Sequence, residues 1–371
     1  MFDGAYVARE LHAHKSAKPA RDVKRSFAIA LAPFGLHAVP FGCKIYPGAK
    51  KGRPQKRPGI RCYGARSPEL DEAAACRGGR EKRVTRMSSQ ANSRFVVIHE
   101  DDVGVSHGAN TAFLELTRLG VCTAGSVMVP CPWFPQIAAI ARDNPQLDLG
   151  VHLTLNSDMK SYRWRPLTGV SDEGLTDPDG YFWAEVPDVR RHADSAAVER
   201  ELRAQVETAL AAGIDVTHLD CHMGTAMMPE FVEVYERLGA DYRVPILLMK
   251  DYMTFSVMDY VGPVTTTEFE AASARARRRG NPIVDLQLET PWAWPHGIEA
   301  AYRDLFSRVP EGVSWLALHF NAPGEIELMA GDAAFRTGEY EFFRSGRARE
   351  LMAHFGMEPV GVREWRDRMR G

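Results

Sequence analysis

The chain has 371 residues, of which 45% are hydrophobic and 25% are charged, and its formal net charge is -2 at pH 7. This composition is typical of a globular protein, and the length suffices for one large α/β domain or two smaller ones. The sequence contains no apolar run of about 18 residues, which excludes a membrane-spanning helix.

The charge is distributed unevenly along the chain. Residues 1–86 carry about 19 Lys and Arg against about 7 Asp and Glu, whereas residues 87–371 carry about 27 against about 41. The run Lys50–Arg61 is basic and rich in Pro and Gly, a composition typical of disorder. We predict a disordered basic extension over residues 1–90, or a true translation start at Met87, and a folded domain over residues 91–371. The alternative for the basic segment is a nucleic-acid-binding arm, although we expect no nucleic-acid partner.

The six cysteines form no Cys-x-x-Cys pair. Three of them, Cys122, Cys131 and Cys221, lie in the predicted folded part. This usage indicates a reducing compartment without a zinc-finger or disulfide framework, so we expect a cytoplasmic protein.

The segment Phe95–Gly104 predicts a buried strand that opens onto a polar site. Its four apolar residues are typical of a strand buried on both faces. The next four residues are polar: His99, Glu100, Asp101 and Asp102. An unpaired buried carboxylate costs several kcal/mol, so a cation or a proton-transfer role is expected to hold these acids. A solvated turn is the alternative interpretation.

Strands and helices alternate after this segment. The further predicted strands are Val121–Val129, Leu147–Leu155, Val216–His222, Val244–Met249, Ile283–Leu288, Val313–Phe320 and Pro359–Val362. The predicted helices are Gly108–Gly120, Trp133–Arg142, Ala196–Gly213, Pro229–Leu238, Gly297–Arg308 and Glu339–Phe355. This alternation indicates a parallel sheet closed, or nearly closed, into a barrel. The long irregular segment Asn156–Pro187 predicts a functional loop, in which Trp164 offers an aromatic face to a sugar ring.

Ionisable side chains follow four of the predicted strands: Asp101 with Asp102, His152, the triplet His218-x-Asp220-x-His222, and His319. Period-2 spacing places the three members of the triplet on one strand face. Two histidines and one aspartate from separate strands predict a site for a divalent cation. A nearby carboxylate that is not a ligand can take a proton from water, and a histidine can protonate the leaving group. The remaining histidines considered are predicted to be structural or surface residues: His99, His107, His192, His296 and His354.

Four motifs stand in order on these elements: His99-Glu100-Asp101-Asp102-Val103-Gly104, Gly150-Val151-His152-Leu153, Thr217-His218-Leu219-Asp220-Cys221-His222 and His319-Phe320-Asn321-Ala322-Pro323-Gly324. Through them, over about residues 95–365, the chain resembles the YdjC-like, or ChbG-type, carbohydrate deacetylases. It departs from the family pattern at His99-Glu100, where the family has Asn-Ala, and at Cys221, where the family has Ser. Two residues also intervene before Pro323, and the further histidines that usually follow the third motif are missing. These departures surround the site, so they bear on the substrate.

The resemblance implies an α/β fold, a (β/α) barrel of the glycoside hydrolase/deacetylase type, that removes the N-acetyl group from an amino sugar. It implies that Mg²⁺ or Zn²⁺ is bound by Asp102, His152 and His222. It also implies Asp101 as the general base, and His319 is the candidate acid. The predicted substrate contacts are Trp164, Asp220 and Arg243.

Two other functions stay open. A barrel glycoside hydrolase would use Asp101, Asp102 and Asp220 as its carboxylates and need no metal. A non-catalytic sugar-binding barrel would need neither catalytic carboxylates nor a metal. Sensitivity to a chelator separates the first from a metal-dependent deacetylase. The expected partner is a small N-acetylated carbohydrate, and a homodimer stays open.

Overall fold

The computed structural model describes residues 93–169, 173–250 and 259–371. These residues belong to one of the two units into which the chain divides, Leu70–Gly371. The other unit, Met1–Glu69, lies outside the described residues. The predicted basic extension and the predicted start at Met87 also lie outside them, and both stay predictions.

A seven-stranded parallel sheet organises the described part of the chain. Its strands are β1 (Arg94–Val103), β2 (Ala124–Val127), β3 (Leu149–Leu153), β4 (Leu219–Cys221), β5 (Leu286–Glu289), β6 (Gly312–Leu318) and β7 (Met357–Pro359). Neighbours follow the order β4-β3-β2-β1-β6-β5, and β7 pairs with the first residues of β1. Parallel neighbours need long crossover connections, which the helices supply.

The α-helices of the described residues are α1 (His107–Arg118), α2 (Phe134–Asp143), α3 (Val186–His192), α4 (Ser195–Ala211), α5 (Val232–Tyr242), α6 (Thr266–Arg278), α7 (Ile298–Ser307), α8 (Ile326–Met329), α9 (Ala333–Arg344), α10 (Arg347–His354) and α11 (Arg363–Arg370). Two 3₁₀ segments follow β4 and α5, at His222–Met227 and Asp259–Val261. None of the described helices is long and apolar enough to cross a membrane.

The sheet curls into a partial barrel, and two isolated parallel bridges span its gap. Leu219 of β4 pairs with Ile246, and Met249 pairs with Val284 just before β5. The predicted strand Val244–Met249 is therefore present only as these two bridges, at the position where it would close the ring. The predicted (β/α) barrel is confirmed in this form, as a curled parallel sheet surrounded by helices.

Strand β1 is the centre of the sheet, as its apolar sequence predicts. Val96, Val97 and Ile98 are completely buried, and β1 pairs with both β2 and β6. Burying an aliphatic side chain of this size stabilises the fold by about 1.5–3 kcal/mol. The strand therefore fixes the position of the polar residues that follow it.

Two helices replace the single helix predicted over Glu339–Phe355. Between α9 and α10 the chain turns at Gly346, whose φ of 85° lies in the left-handed region that glycine adopts at little cost. Helix α9 also begins six residues earlier than predicted, at Ala333, and so includes Arg336. Helices α3, α8 and α11 were not predicted.

Candidate active site

The carboxyl ends of the barrel strands surround a cavity of about 400 Å³. Its wall contains six residues predicted from the sequence: Asp101, Asp102, His152, Asp220, His222 and His319. A cavity of this size is typical of a small-molecule site.

An irregularity at the end of β1 turns two consecutive carboxylates towards this cavity. In a regular strand Asp101 and Asp102 would point to opposite faces. Between Glu100 and Val103, however, the register with β2 shifts, and Asp102 has a left-handed φ of 62°. Aspartate tolerates this conformation better than most residues. Such a bulge re-aims a side chain, so both acids line one cavity.

Asp102, His152 and His222 meet at one side of the cavity. Asp102 Oδ1 lies 3.0 Å from His222 Nδ1 and 3.4 Å from His152 Nε2. This oxygen is buried and accepts no hydrogen bond. One ligand atom from each residue lies within 4.8 Å of the others. Two imidazole nitrogens and a buried carboxylate oxygen directed to one place fit a divalent cation.

A carboxylate lies behind each of the two imidazoles. Asp220 Oδ2 is 3.0 Å from His152 Nδ1, and Asp158 Oδ1 is 3.0 Å from His222 Nε2. Carboxylates in this position help to orient metal-binding histidines, and Ser126 Oγ lies within hydrogen-bond distance of the same His152 nitrogen, at 3.0 Å. Asp220, predicted to contact substrate, is only 1% exposed and stands behind His152. Asp158 was not predicted.

The same carboxylates favour positive charge in the cluster. Burial by itself would lower the pKa of His222, but Asp158 and Asp102 raise this pKa to about 9. Burial likewise opposes protonation of His152, yet Asp220 raises its pKa well above the ordinary value. The cluster is therefore electrostatically suited to a cation.

Arg336 of α9 holds the second oxygen of Asp102. Its Nη1 donates to Asp102 Oδ2 at 2.7 Å, and its Nε donates to Asp332 Oδ2 at 3.0 Å. Burial would raise the pKa of Asp102, but His222 and Arg336 lower it well below its ordinary value. This arginine was not predicted as a site residue, because the predicted helix began at Glu339. The i,i+4 spacing of Asp332 and Arg336 was an available signal.

A second cluster surrounds Asp101, the predicted general base. Asp101 Oδ1 lies 2.5 Å from His99 Nδ1, and His99 Nε2 lies 2.9 Å from His218 Nε2. His99, predicted to be a structural or surface residue, is therefore a buried neighbour of the site. Its place next to the site could have been predicted from its position two residues before Asp101, since alternate residues of a strand share a face.

His218 lies deeper in this cluster. Burial and the neighbouring His99 lower its pKa to about 3, so this imidazole is neutral at pH 7. A Cβ atom added at Gly150 would lie only 2.6 Å from His218 Nε2. The close approach of this ring therefore requires the glycine of the second motif.

His319 occupies another part of the wall. Its Nδ1 lies 2.8 Å from Thr290 Oγ1, and its backbone N–H donates to Glu339 Oε2 at 2.7 Å. Burial and the neighbouring Arg336 lower the pKa of His319 to about 4. This imidazole is therefore uncharged at pH 7.

The wall also contains Tyr260, Glu289 and Trp292, which were not predicted as site residues. Glu289 ends β5 opposite Ala317 of β6, which in turn lies opposite His99. Residues level with one another across a parallel sheet point to the same face, so Glu289 and His99 both face the barrel interior. Burial and the Asp101 carboxylate raise the pKa of Glu289 to about 7.

Two predicted substrate contacts, Trp164 and Arg243, are not part of this cavity wall. Trp164 is 3% exposed, and its indole Nε1 donates to the carbonyl of Asn156 at 2.7 Å. Its ring is buried and lies edge-on to the ring of His222, with centroids 6.2 Å apart. Arg243 follows α5 and donates from Nη2 to the carbonyl of Met369 at 3.1 Å. It lines a separate surface cavity beside Trp365, away from the histidines.

The long loop between β3 and α3 uses its other aromatic residues for internal packing. Phe182 is completely buried, and Trp183 stacks on His192 with ring centroids 4.5 Å apart. Among its described residues, Asp158 is the loop's contribution to the cavity wall. His107, His192, His296 and His354 do not line this cavity, in keeping with the roles predicted for them.

Comparison with known proteins places this site in a family context. Residues 95–354 match the family described as YdjC-like protein. The chain is similar to a carbohydrate deacetylase of Thermus thermophilus, with 31% identity over 262 residues that cover 71% of this chain and 90% of the relative. It is also similar to a carbohydrate deacetylase of Brevibacillus brevis, with 31% identity over 174 residues covering 47% and 67%.

Among solved structures, the fold is similar to that of a protein from Enterococcus faecalis V583 named for cellobiose-phosphate cleavage. The two share 20% identity and superpose with a TM-score of 0.61, covering 74% of this chain and 99% of that one. At this identity the likeness concerns the fold alone.

Proposed function

Since this chain belongs to the YdjC-like family, we propose that it is a carbohydrate deacetylase that depends on a divalent metal ion. Its substrate is an amino sugar, or a related carbohydrate, that carries an N-acetyl group. The names of the similar relatives support deacetylation of a carbohydrate. The chemistry of the cavity supports the dependence on a metal.

The observation that carries the proposal is the set of donors around Asp102 Oδ1. Asp102, His152 and His222 would hold the ion, with Asp220 and Asp158 orienting the two imidazoles. Zn²⁺ accepts imidazole nitrogen readily, whereas Mg²⁺ prefers oxygen ligands throughout. The donor set therefore favours Zn²⁺ over Mg²⁺.

In the proposed reaction, Asp101 takes a proton from the water that attacks the acetyl carbon. When bound, the metal supplies Lewis-acid polarisation of the acetyl oxygen and makes this water more acidic. The contact between Asp101 Oδ1 and His99 Nδ1 orients the carboxylate, which leaves its Oδ2 for the water. The carbon–nitrogen bond then breaks, releasing acetate and a sugar amine.

The departing amine needs a proton, and two side chains of the cavity wall are candidates to supply it. His319 is the candidate predicted from the sequence, but with a pKa of about 4 it carries no extra proton at pH 7. Glu289 has a pKa of about 7 and is therefore partly protonated there. His319→Gln and Glu289→Gln separate the two candidates. Only the variant that lacks the true proton donor should lose the decline of kcat on the alkaline side of its pH profile.

The geometry does not favour the metal-independent glycosidase. Such an enzyme needs two carboxylates that flank the scissile bond. Asp102 is instead held by Arg336 at 2.7 Å, and Asp220 is buried behind His152. Only Asp101 of the three carboxylates is left for that role. A cytoplasmic location and a homodimer remain predictions.

Acetate release from N-acetylglucosamine oligomers by zinc-loaded protein tests the proposal. We expect release by the parent protein, loss in Asp101→Asn and His152→Ala, and no change in His296→Ala, a histidine outside the cavity. EDTA should abolish the activity, and added Zn²⁺ should restore it. Full activity in EDTA would contradict the metal dependence. Activity of His152→Ala equal to that of the parent would contradict the assigned site.

A further inference from the structure

The charges in the cavity wall bear on which sugars can enter. Carboxylates dominate the wall: Asp101, Asp102, Asp158, Asp220, Glu289 and Asp332. Among the described wall residues, Arg336 is the only lysine or arginine. An anionic group on a substrate would therefore meet several carboxylates of the same sign.

Arg336 does not offer a free guanidinium fork to such a group. Two of its nitrogens already donate to Asp102 and Asp332. Its side chain is almost fully buried, and its guanidinium lies 5.8 Å from the ring centre of Trp292. Recognition of phosphate by arginine normally uses a free guanidinium fork.

A bound divalent cation does not reverse this balance. It would add two positive charges, and its imidazole ligands bind in the neutral form. With Arg336 this gives three positive charges against six carboxylates, or five when Glu289 is protonated. The side chains of Asp158 and Asp332 are 30% and 34% exposed. An incoming ligand therefore meets these two carboxylates with little shielding by protein.

The uncharged part of the wall suits a sugar ring. Tyr260, Trp292, Met227 and Leu247 contribute apolar surface to the same cavity. The ring of Trp292 lies with its centroid 4.9 Å from that of His319, next to the catalytic groups. Aromatic and apolar faces bind the carbon–hydrogen faces of a pyranose without any need for charge.

We propose that the cavity selects uncharged N-acetylated sugars and rejects anionic derivatives, whether phosphorylated or carboxylated. The inference rests on the proposed deacetylase function and names the substrate class of that site. Rejection arises from repulsion by the wall carboxylates together with the absence of a free cation among the described wall residues. It should therefore act on binding, and so on KM, more than on kcat.

The test compares a β-linked N-acetylglucosamine dimer with the same dimer carrying a 6-phosphate. Acetate release by zinc-loaded protein at pH 8 gives kcat and KM for both. We expect kcat/KM to be at least about tenfold lower for the phosphorylated dimer, mainly through KM. The difference in kcat/KM between the two dimers should become smaller as the salt concentration rises from about 50 to about 500 mM, because salt screens charge.

Two variants make the comparison specific. Asp332→Asn removes one negative charge from the wall, while the amide oxygen of the new side chain can still accept a hydrogen bond from Arg336. This variant should therefore reduce the difference in kcat/KM between the two dimers. Asp304→Asn makes the same change on α7, outside the cavity, and should leave the ratio unaltered. Equal or faster turnover of the phosphorylated dimer by the parent protein would overturn the inference. So would an equal effect of the two variants on the ratio.

The experiments distinguish a failure of the proposed deacetylase function from a failure of the proposed preference for uncharged sugars. If neither dimer releases acetate, calorimetric binding of both to the zinc-loaded protein still compares them. Tighter binding of the uncharged dimer would then support the inference although the activity was wrong. Equal or tighter binding of the phosphorylated dimer would refute it.

Discussion

Neighbouring acids on the two faces of β1 have opposite properties. Asp102 turns into the barrel, where its pKa is lowered although burial opposes ionisation. Glu100, two residues earlier, is completely buried with no hydrogen bond to either carboxylate oxygen. Burial and the nearby Glu339 raise its pKa well above 4.5. The surroundings therefore favour ionisation of the Asp102 carboxyl and disfavour ionisation of the Glu100 carboxyl.

The difference teaches that burial does not decide the charge of these groups. Both acids are fully enclosed, so desolvation disfavours the charged form of each. Asp102 has His222 and Arg336 beside it, whereas the main charged group acting on Glu100 is the Glu339 carboxyl. Residues two apart on one strand therefore serve different purposes, and substitutions on the two faces should have different consequences.

Asp102→Asn should have the largest effect on metal binding, because it removes the one carboxylate from the proposed ligand set of Asp102, His152 and His222. We expect zinc affinity to fall by about a thousandfold or more and acetate release to disappear. Competition with a chromogenic chelator measures the affinity. Since Arg336 loses its partner, thermal unfolding must first show that the variant is folded. Unchanged zinc affinity in a folded variant would disprove the ligand assignment.

Asp101→Asn should separate chemistry from metal binding within the same strand end. We expect kcat to fall by about 10²–10⁴-fold, the usual contribution of a general base, while zinc affinity changes by less than about threefold. Parallel assays of acetate release and metal affinity check this. A loss of metal as large as that in Asp102→Asn would mean that Asp101 is itself a ligand.

Asp220→Asn tests the carboxylate behind His152. Replacing such a partner typically weakens metal binding by about 10–100-fold, because the ring is oriented less firmly. The measurement is again zinc affinity, with Asp285→Asn, outside the cavity wall, as the matched control. A drop in kcat/KM with no change in zinc affinity would instead favour the substrate contact predicted for Asp220.

Glu100→Gln should have the smallest effect, and on stability instead of activity. The folded-state pKa of Glu100 lies above 4.5, near which the unfolded chain ionises. Stability is therefore fully present below about pH 4.5 and declines as pH rises towards the folded-state pKa. Glutamine cannot ionise, so the variant should lose less stability than the parent between pH 5 and pH 8.

Thermal unfolding at several pH values measures this, with a difference on the order of 1 kcal/mol, about 2–4 °C in Tm. Glu358→Gln on β7 is the control, because Glu358 is exposed. Parallel pH profiles of the parent and Glu100→Gln would show that the buried carboxyl does not control stability.

Much of the fold could be read from the sequence. The apolar strands and amphipathic helices produce local periodic patterns, and their alternation indicates a parallel barrel. Asp102, His152 and His222 were predicted to lie close together because each stands at the end of a strand, and parallel strands place their carboxyl ends at one edge of the sheet. The break at Gly346 was missed, since helix formers continue on both sides of it.

Contacts between distant segments could not be read in this way. Arg336 reaches Asp102 across 234 positions of the sequence, and Trp164 is buried by a loop that has no periodic pattern. Arg243 was placed near substrate by family likeness, but the packing of α5 and α11 directs it to the carbonyl of Met369.

The sequence by itself thus determined the order of elements, the barrel class and which acids and histidines end its strands. Only the tertiary structure decided which atoms of those side chains converge, which are backed by carboxylates, and which charges the cavity presents to a ligand. The physical reason is that periodicity reports burial along one element, whereas pKa and ligand geometry depend on neighbours supplied by other elements.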